Sequence, residues 1–446
     1  MNIEEVQEFL DEKKYHELRE KLGELNEADI AALLEELPAD LQVRVFRLLP
    51  KDMAADVFAF LPTDVEQEII TSLTDNEAVN IINNMMSDDA ADLMEEMPAS
   101  VVKKLLSNAS PDVRRDVNHL LKFPEDSAGS IMTVEFVDLK ENLTVADAIA
   151  RIRRTGIDKE TINTCYVLDK RRRLIGIVAL RTLILSRPED LIGDVMEENV
   201  ISVETLTDQE DVARVISKYD FISVPVVDSE KRLVGIVTVD DIVDIIQEEA
   251  TEDIQKMAAI VPSDLPYTKM GPLDLWRKRV GWLLLLMISA TFTGRIITSY
   301  ENALGAYIIL AAYIPMLMDT GGNTGSQSST MIIRALSLRE IEFKDIFRVV
   351  GKEFCTALIC GVTLAAANFV KLLVVDRLDP IVALVVVLTM IMAVITANVV
   401  GCSLPMIAKR LGFDPAVMAS PMLTTIIDAV TLTIYFQFAT HILHIG

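Results

Sequence analysis

Cysteine, histidine and tryptophan are scarce in this 446-residue chain, at four, four and two copies. Cys165, Cys355, Cys360 and Cys402 have no metal-type spacing and three lie in apolar runs, so they read as reduced packing residues and exclude a disulfide framework. With only His16, His119, His441 and His444, an intramembrane metalloprotease lacks the His-Glu-x-x-His set that would hold its zinc. The glycine-rich run GGNTGSQSS has no Gly-Lys-Ser/Thr ending, which excludes a P-loop and with it nucleotide hydrolysis. A basic surplus is missing too. Against 42 basic side chains stand 67 acidic ones, net −25, a field that repels nucleic acid and gathers cations. The opening MNIEEVQEFLDEKK is acidic and amphipathic, so we expect no cleaved secretory signal and a cytoplasmic N-terminus.

What is present divides the chain between two solvents. Hydrophobic residues make up 51% and mean hydropathy is +0.33, too oily for a wholly soluble chain of this length. Residues 1–265 hold 56 acids against 28 bases, whereas residues 266–446 hold 11 against 14. Five apolar stretches, at 280–298, 304–333, 351–375, 381–404 and 417–443, each reach the roughly 20 residues that cross a bilayer. Lys and Arg gather before the first, between the second and third, and at Lys409 and Arg410, so these loops are cytoplasmic and the C-terminus lies outside.

Polar groups inside apolar spans are costly and therefore informative. Asp428 lies well inside the fifth stretch, where a charged carboxylate costs about 2.5 to 3.5 kcal/mol on insertion scales. At helical spacing Ser420, Thr424, Asp428, Thr431 and Tyr435 share one face, a polar stripe fit to line a water-filled path; a hydrogen-bonded structural carboxylate is the alternative. In the second stretch, PMLMDTGGNTGSQSS predicts broken or closely approached backbone, with Asp319, Asn323 and Gln327 on one face. Tight helix packing through the small residues explains the same run. Asp414 adds a carboxylate near the inner mouth.

The cytoplasmic half repeats. LPAD at 37, LPKD at 49, LPTD at 61, LTDN at 73, MMSD at 85 and MPAS at 97 recur every twelve residues, predicting one short helix per repeat in a helical solenoid. Capping explains most of Asp40, Asp52 and Asp64. The denser patch of Asp88, Asp89, Asp92, Glu95 and Glu96 exceeds what caps need and is a candidate cation site. Residues 164–180 and 222–242 then form matched halves, each a strand, a charged turn and a strand ending in Gly-Ile-Val before a helix. This doubled unit, with its leads GSIMT at 129–133 and GDVME at 193–197, resembles a tandem pair of cystathionine-beta-synthase (CBS) domains. The resemblance implies an adenine nucleotide site in which Thr238 and Asp241 meet phosphate and ribose, Phe221 to Pro225 flank the base, and Arg181 assists. Ala179 and Thr182 replace the matching residues of the first half, so at most one site per pair is expected; a structural dimerisation module is the alternative. Residues 240–262 form a strongly acidic connecting helix whose Asp241, Asp244, Glu248 and Glu252 share a face.

Taken together, the order of parts resembles the MgtE-type magnesium channels over essentially the whole length. We therefore expect a multi-domain chain, an α-helical solenoid plus an α/β tandem CBS pair plus an all-α five-helix transmembrane domain. Its expected bounds are 1–127 for the acidic repeat, 128–192 and 193–245 for the CBS domains, 246–267 for the connecting helix and 268–446 for the pore. The resemblance implies a homodimer in the bacterial inner membrane that conducts Mg2+, with Asp428 at the ion site and Ser420, Thr424, Thr431, Asn323, Asp319 and Gln327 along the path. For gating we expect Mg2+ to bridge Asp88, Asp89 and Asp92 to Asp241 and Asp244, and Asp220 and Glu249 to Glu252 and Asp253, with ATP as a modulator. Two alternatives stand beside it, a membrane-bound nucleotide or metal sensor without transport, and a broader carrier of Co2+, Ni2+ or Mn2+.

Overall fold

The computed structural model describes residues 1–263, 265, 267–418 and 420–444, leaving out also the side chains of Asp52, Asn302, Met418 and Ser420. It divides into two compact units, Met1–Ile246 and Gln247–Gly446.

The first unit opens with ten short helices. Helices α1 (Ile3–Asp11), α2 (Tyr15–Leu22) and α3 (Glu27–Glu36) lead into α4 (Ala39–Phe46), α5 (Lys51–Ala59), α6 (Thr63–Ser72), α7 (Asp75–Ile82), α8 (Ser87–Glu96) and α9 (Ala99–Asn108), with α10 (Pro111–Leu120) last. From α4 to α9 the helices start every twelve residues, the period read in the sequence. Too short to be stable alone, they persist because Val45, Phe58, Ile69, Ile82 and Leu93 pack into one shared core. Their starts differ from expectation. Pro38, Pro50, Pro62 and Pro98 are themselves the N-caps and supply no side-chain bond. Asp40 and Asp64 instead fall in the first turn, where a carboxylate meets the positive end of the helix dipole.

The CBS half holds two three-stranded sheets of one design. In the first, β1 (Asp138–Leu139) pairs parallel to β2 (Thr164–Leu168), which pairs antiparallel to β3 (Leu174–Ala179). The second repeats it with β4 (Val203–Glu204), β5 (Ser223–Val227) and β6 (Leu233–Thr238). Helices α11 (Val145–Thr155), α12 (Leu180–Leu185), α13 (Ile192–Val195) and α14 (Gln209–Tyr219) complete the halves. The two leads cross over: Thr133 bridges Ile236 of the second sheet, and Glu197 bridges Ile177 of the first. Gly176 and Gly235 make this possible, since a Cβ at either would stand 2.5 or 2.6 Å from the Met196 or Met132 sulfur of the crossing lead.

Helix α15 (Val239–Met257) contains the boundary between the units. Beyond it come α16 (Pro272–Ser299), α17 (Glu301–Ala306), α18 (Ile314–Ser337), α19 (Ile346–Val374), α20 (Pro380–Arg410) and α21 (Ser420–Ile442). The expected second span, 304–333, is not one element. Tyr307 (φ −136°, ψ 81°) ends α17, a 3-10 turn covers Ile308–Tyr313, and the polar run begins a new helix. Among the described residues four helices are long and apolar enough to cross a membrane, those built on α16, α19, α20 and α21. The 24-residue α18 has the length but is diluted by its polar residues. It is also unbroken through GGNTGSQSS, so of the two expected outcomes, broken or closely approached backbone, the break does not occur.

Candidate functional site

Carboxylates dominate both units, in different ways. In the first unit Asp88, only 7% exposed, has an Oδ1 with no hydrogen-bond partner among the described residues. Burial raises its pKa well above the usual carboxylate range, and the charges of Asp89, Asp241 and Glu160 raise it further. Asp89 is pushed up to about 7 by burial and then by Asp241, Asp92, Glu160 and Asp240. Burial, then Asp241, Asp240 and Glu135, lifts Glu160 to about 7; burial, then Asp89, Asp92 and Glu96, lifts Glu66 to about 8. The expected grouping of Asp88, Asp89 and Asp92 with Asp241 and Asp244 is thus an electrostatic neighbourhood. Among the described residues no three His, Cys, Asp or Glu side chains are closed around one metal position. Glu66 and Glu160 were not read as site residues. The 3-10 turn Gly156–Asp158 that precedes Glu160 carries no sequence signal for charge clustering.

Asp241 has a second neighbour. Its Oδ2 accepts the Thr238 hydroxyl, which lowers its pKa, yet burial and the charges of Asp240 and Asp244 leave it at about 6. Thr238 is 3% exposed at the end of β6, and hydroxyl and carboxylate stand together at the strand-to-helix corner. Phe221 is half-buried and stacks on Tyr219 at 5.4 Å, Pro225 is buried within β5, and Arg181 is exposed on α12. Asp220 ends α14 in the left-handed region and is exposed.

In the second unit the ammonium of Lys256 lies 2.6 Å from Glu252 and 2.7 Å from Asp414. Burial lowers the lysine pKa, but the hydrogen bonds that it donates to Asp414 and Glu252 outweigh this and hold it raised. Glu252 and Asp414, both candidate metal ligands from the sequence, thus share one cation here. Glu249 and Asp253 are half-buried on α15.

Helix α18 has two faces. On one, Gly321, Gly322 and Gly325 are buried, and a Cβ at Gly325 would stand 2.3 Å from Ile427 of α21. A Cβ at Gly401 of α20 would meet the Gly325 carbonyl oxygen at 2.5 Å, so backbones touch here, as small residues permit. On the other face Asp319, Asn323 and Gln327 are exposed in the single chain. Asp428 is half-buried on α21, together with Thr424. Thr431 and Tyr435 do not continue that stripe, a correction to the expected polar face. Both are 0% exposed; Thr431 Oγ1 lies 3.2 Å from the Cβ position of Gly321, and the Tyr435 hydroxyl donates to the Leu310 carbonyl. The Ser420 side chain lies outside the described residues. A carboxylate that the sequence reading passed over is Glu353 of α19, whose Oε2 accepts from Ser328 at 2.9 Å and Asn398 at 3.3 Å. The signal was available, a Glu at the start of an apolar run.

Comparison with known proteins identifies the family. Residues 314–438 match the MgtE family of divalent cation transporters, 25–126 the MgtE intracellular N domain, and 128–188 and 192–248 the CBS domain. The magnesium transporter MgtE of Thermus thermophilus is 42% identical over 76% of this chain and 74% of its own. That of Bacillus subtilis is 36% identical over 76% and 74%. A crystal structure of the cytosolic domain of the Mg2+ channel MgtE in complex with ATP superposes with TM-score 0.52 at 39% identity, over 54% of this chain and 98% of that one. The soluble part of a magnesium transporter superposes with TM-score 0.53 at 34% identity, over 55% and 96%. The members of this family are transporters and channels, not enzymes, and the chain belongs to the MgtE family.

Proposed function

We propose that this chain forms a homodimer in the bacterial inner membrane, N-terminus in the cytoplasm and C-terminus outside, and conducts Mg2+ past Asp428. The observation that carries the reading is the half-buried Asp428 carboxylate on a membrane-length helix whose neighbouring Leu423 and Ile427 pack in an apolar cluster. Magnesium keeps most of its water, so one carboxylate from each of two chains is a fitting ligand set. The exposed row Asp319, Asn323 and Gln327 on α18 has the polarity that a hydrated ion needs and that lipid disfavours. With Thr424 and Ser420 it would line the path.

The acidic neighbourhood supplies the control. Asp88, Asp89, Asp92, Asp241 and Asp244, joined by Glu66 and Glu160, repel one another when ionised, and Mg2+ between them relieves the repulsion that protons relieve at low pH. The buried Asp88 Oδ1, without a hydrogen-bond partner among the described residues, suits a cation ligand. Bound Mg2+ favours the closed channel, a population shift driven by differential ion binding. Asp220, Glu249 and Asp253 are proposed to add to the same control, and Thr238 with Asp241 to hold ATP as a modulator.

The test is flux of Mg2+ into proteoliposomes. The Asp428→Ala variant is expected to lose about tenfold or more of the rate, the cost of stripping a hydrated ion of its partner in the span. An undiminished rate removes Asp428 from the path.

A further inference from the structure

Within the acidic first unit one cavity gathers basic side chains. About 790 Å3 in volume, it opens between α10, the β2–β3 turn and the β5–β6 turn. Its basic side chains come from three parts of the chain: Arg115, His119 and Lys122 from α10 and the turn after it, Lys159 and Arg172 from the first CBS half, and Arg232 from the second.

The acids in its wall are already engaged. Asp116 pairs with Arg115 at 2.9 Å. Glu135 Oε2 accepts the Ser87 and Thr133 hydroxyls, each at 2.7 Å, and the Val134 amide. Asp228 Oδ1 accepts the amides of Glu230 and Arg232, and Arg232 pairs with Glu230. Lys122, Lys159 and Arg172 remain, and none of them forms an ion pair among the described residues. The backbone of Arg172 is fixed by the fold. Arg172 sits in a turn at φ 63°, and the two hairpins are clamped by the Leu174 amide on Lys231 and the Leu233 amide on Arg172.

Unpaired cations converging on one cavity, in a unit where acids are plentiful enough to pair every base, are a built anion site in the making. We propose that this cavity binds an oligophosphate anion carrying two or more phosphoryl groups, separately from the nucleotide position at Thr238 and Asp241. Guanidinium and ammonium groups on three sides suit several phosphoryl oxygens at once. The volume exceeds what one phosphate fills and lies within the range of about 300–1,000 Å3 usual for small-molecule sites. An anion here ties α10 of the repeat to both CBS hairpins, and so opposes the separation that the ionised acids drive.

The experiment is calorimetry on the full-length protein in detergent, free of divalent ions, with sodium tripolyphosphate and with ADP as probes. Tripolyphosphate is expected to bind one per chain, to bind equally well to the Thr238→Ala/Asp241→Ala variant, and to bind about tenfold or more weakly to Lys122→Glu/Arg172→Glu. The substituted side chains are exposed, and unchanged elution volume and helicity verify that the variant is folded. ADP competing with tripolyphosphate identifies a nucleotide as the natural source; tripolyphosphate binding without ADP competition identifies a phosphate chain. No tripolyphosphate binding by the unmodified protein, or equal binding by the charge-reversed variant, overturns the proposal.

Discussion

In the unit up to Ile246, burial and then neighbouring carboxylates raise the pKa of Asp88, Asp89, Glu160 and Asp241, whereas from Gln247 onward each key carboxylate has neutral or positive company. Glu353 accepts from Ser328 and Asn398, Asp414 and Glu252 share Lys256, and Asp428 stands on α21 with Thr424. The difference is one of binding strength and its dependence on conditions. Crowded acids create a demand for positive charge that a divalent ion meets well, and the demand vanishes when the groups are protonated or pulled apart. A lone carboxylate attracts an ion without holding it, which conduction requires.

The largest expected effect separates the two regions outright. Asp428→Asn should cut Mg2+ flux about tenfold or more, while Mg2+-dependent hydrogen-exchange protection of α8 stays as in the unmodified protein; loss of both would mean that the regions are not separable. Next comes packing. In Gly401→Val the new side chain meets the Gly325 backbone, which cannot yield as a flexible side chain would. We expect a destabilisation of about 1–3 kcal/mol or more, seen as earlier thermal loss of Trp276 and Trp282 fluorescence, with exchange in α4 to α9 unaffected.

A pH titration tests the crowded acids. Carboxyls whose pKa values rise on folding keep protons that the unfolded chain has released, so their contribution to stability is intact below about pH 4 and declines as pH climbs through about 6 to 8. In chelator, exchange protection of α8 and of Asp240–Ile245, corrected for intrinsic rates, should fall from pH 5 to pH 8. Added Mg2+ should restore more of it at pH 8 than at pH 5. The smallest effect is at Lys256. Lys256→Met leaves Asp414 and Glu252 without their cation and should shift the Mg2+ dependence of flux by about two- to threefold, as a half-exposed ion pair would.

Patterns confined to neighbouring residues were legible in the sequence. The twelve-residue period of α4 to α9, the doubled strand pairs with their Gly-Ile-Val endings, and Asp428 within an apolar run each repeat or stand out locally. Contacts made across the fold were not. Glu160 joins Asp88 and Asp241 only because the repeat and the CBS halves pack in one unit. Lys256 finds Asp414 from far along the chain. Helical spacing placed Thr431 and Tyr435 with Asp428, yet spacing does not say which side of α21 meets α18, and Gly321 and the Leu310 carbonyl take them. The run GGNTGSQSS supported both a path and tight packing; α18 uses opposite faces for its buried glycines and its exposed polar row.

The division of labour among carboxylates is tested most directly by Mg2+ flux in proteoliposomes, measured while free Mg2+ on the cytoplasmic side is raised. The unmodified protein should close, and an Asp89→Asn/Glu160→Gln variant should conduct equally well at low Mg2+ yet stay open as Mg2+ rises. Closure of that variant at the same Mg2+ concentration as the unmodified protein would contradict the account.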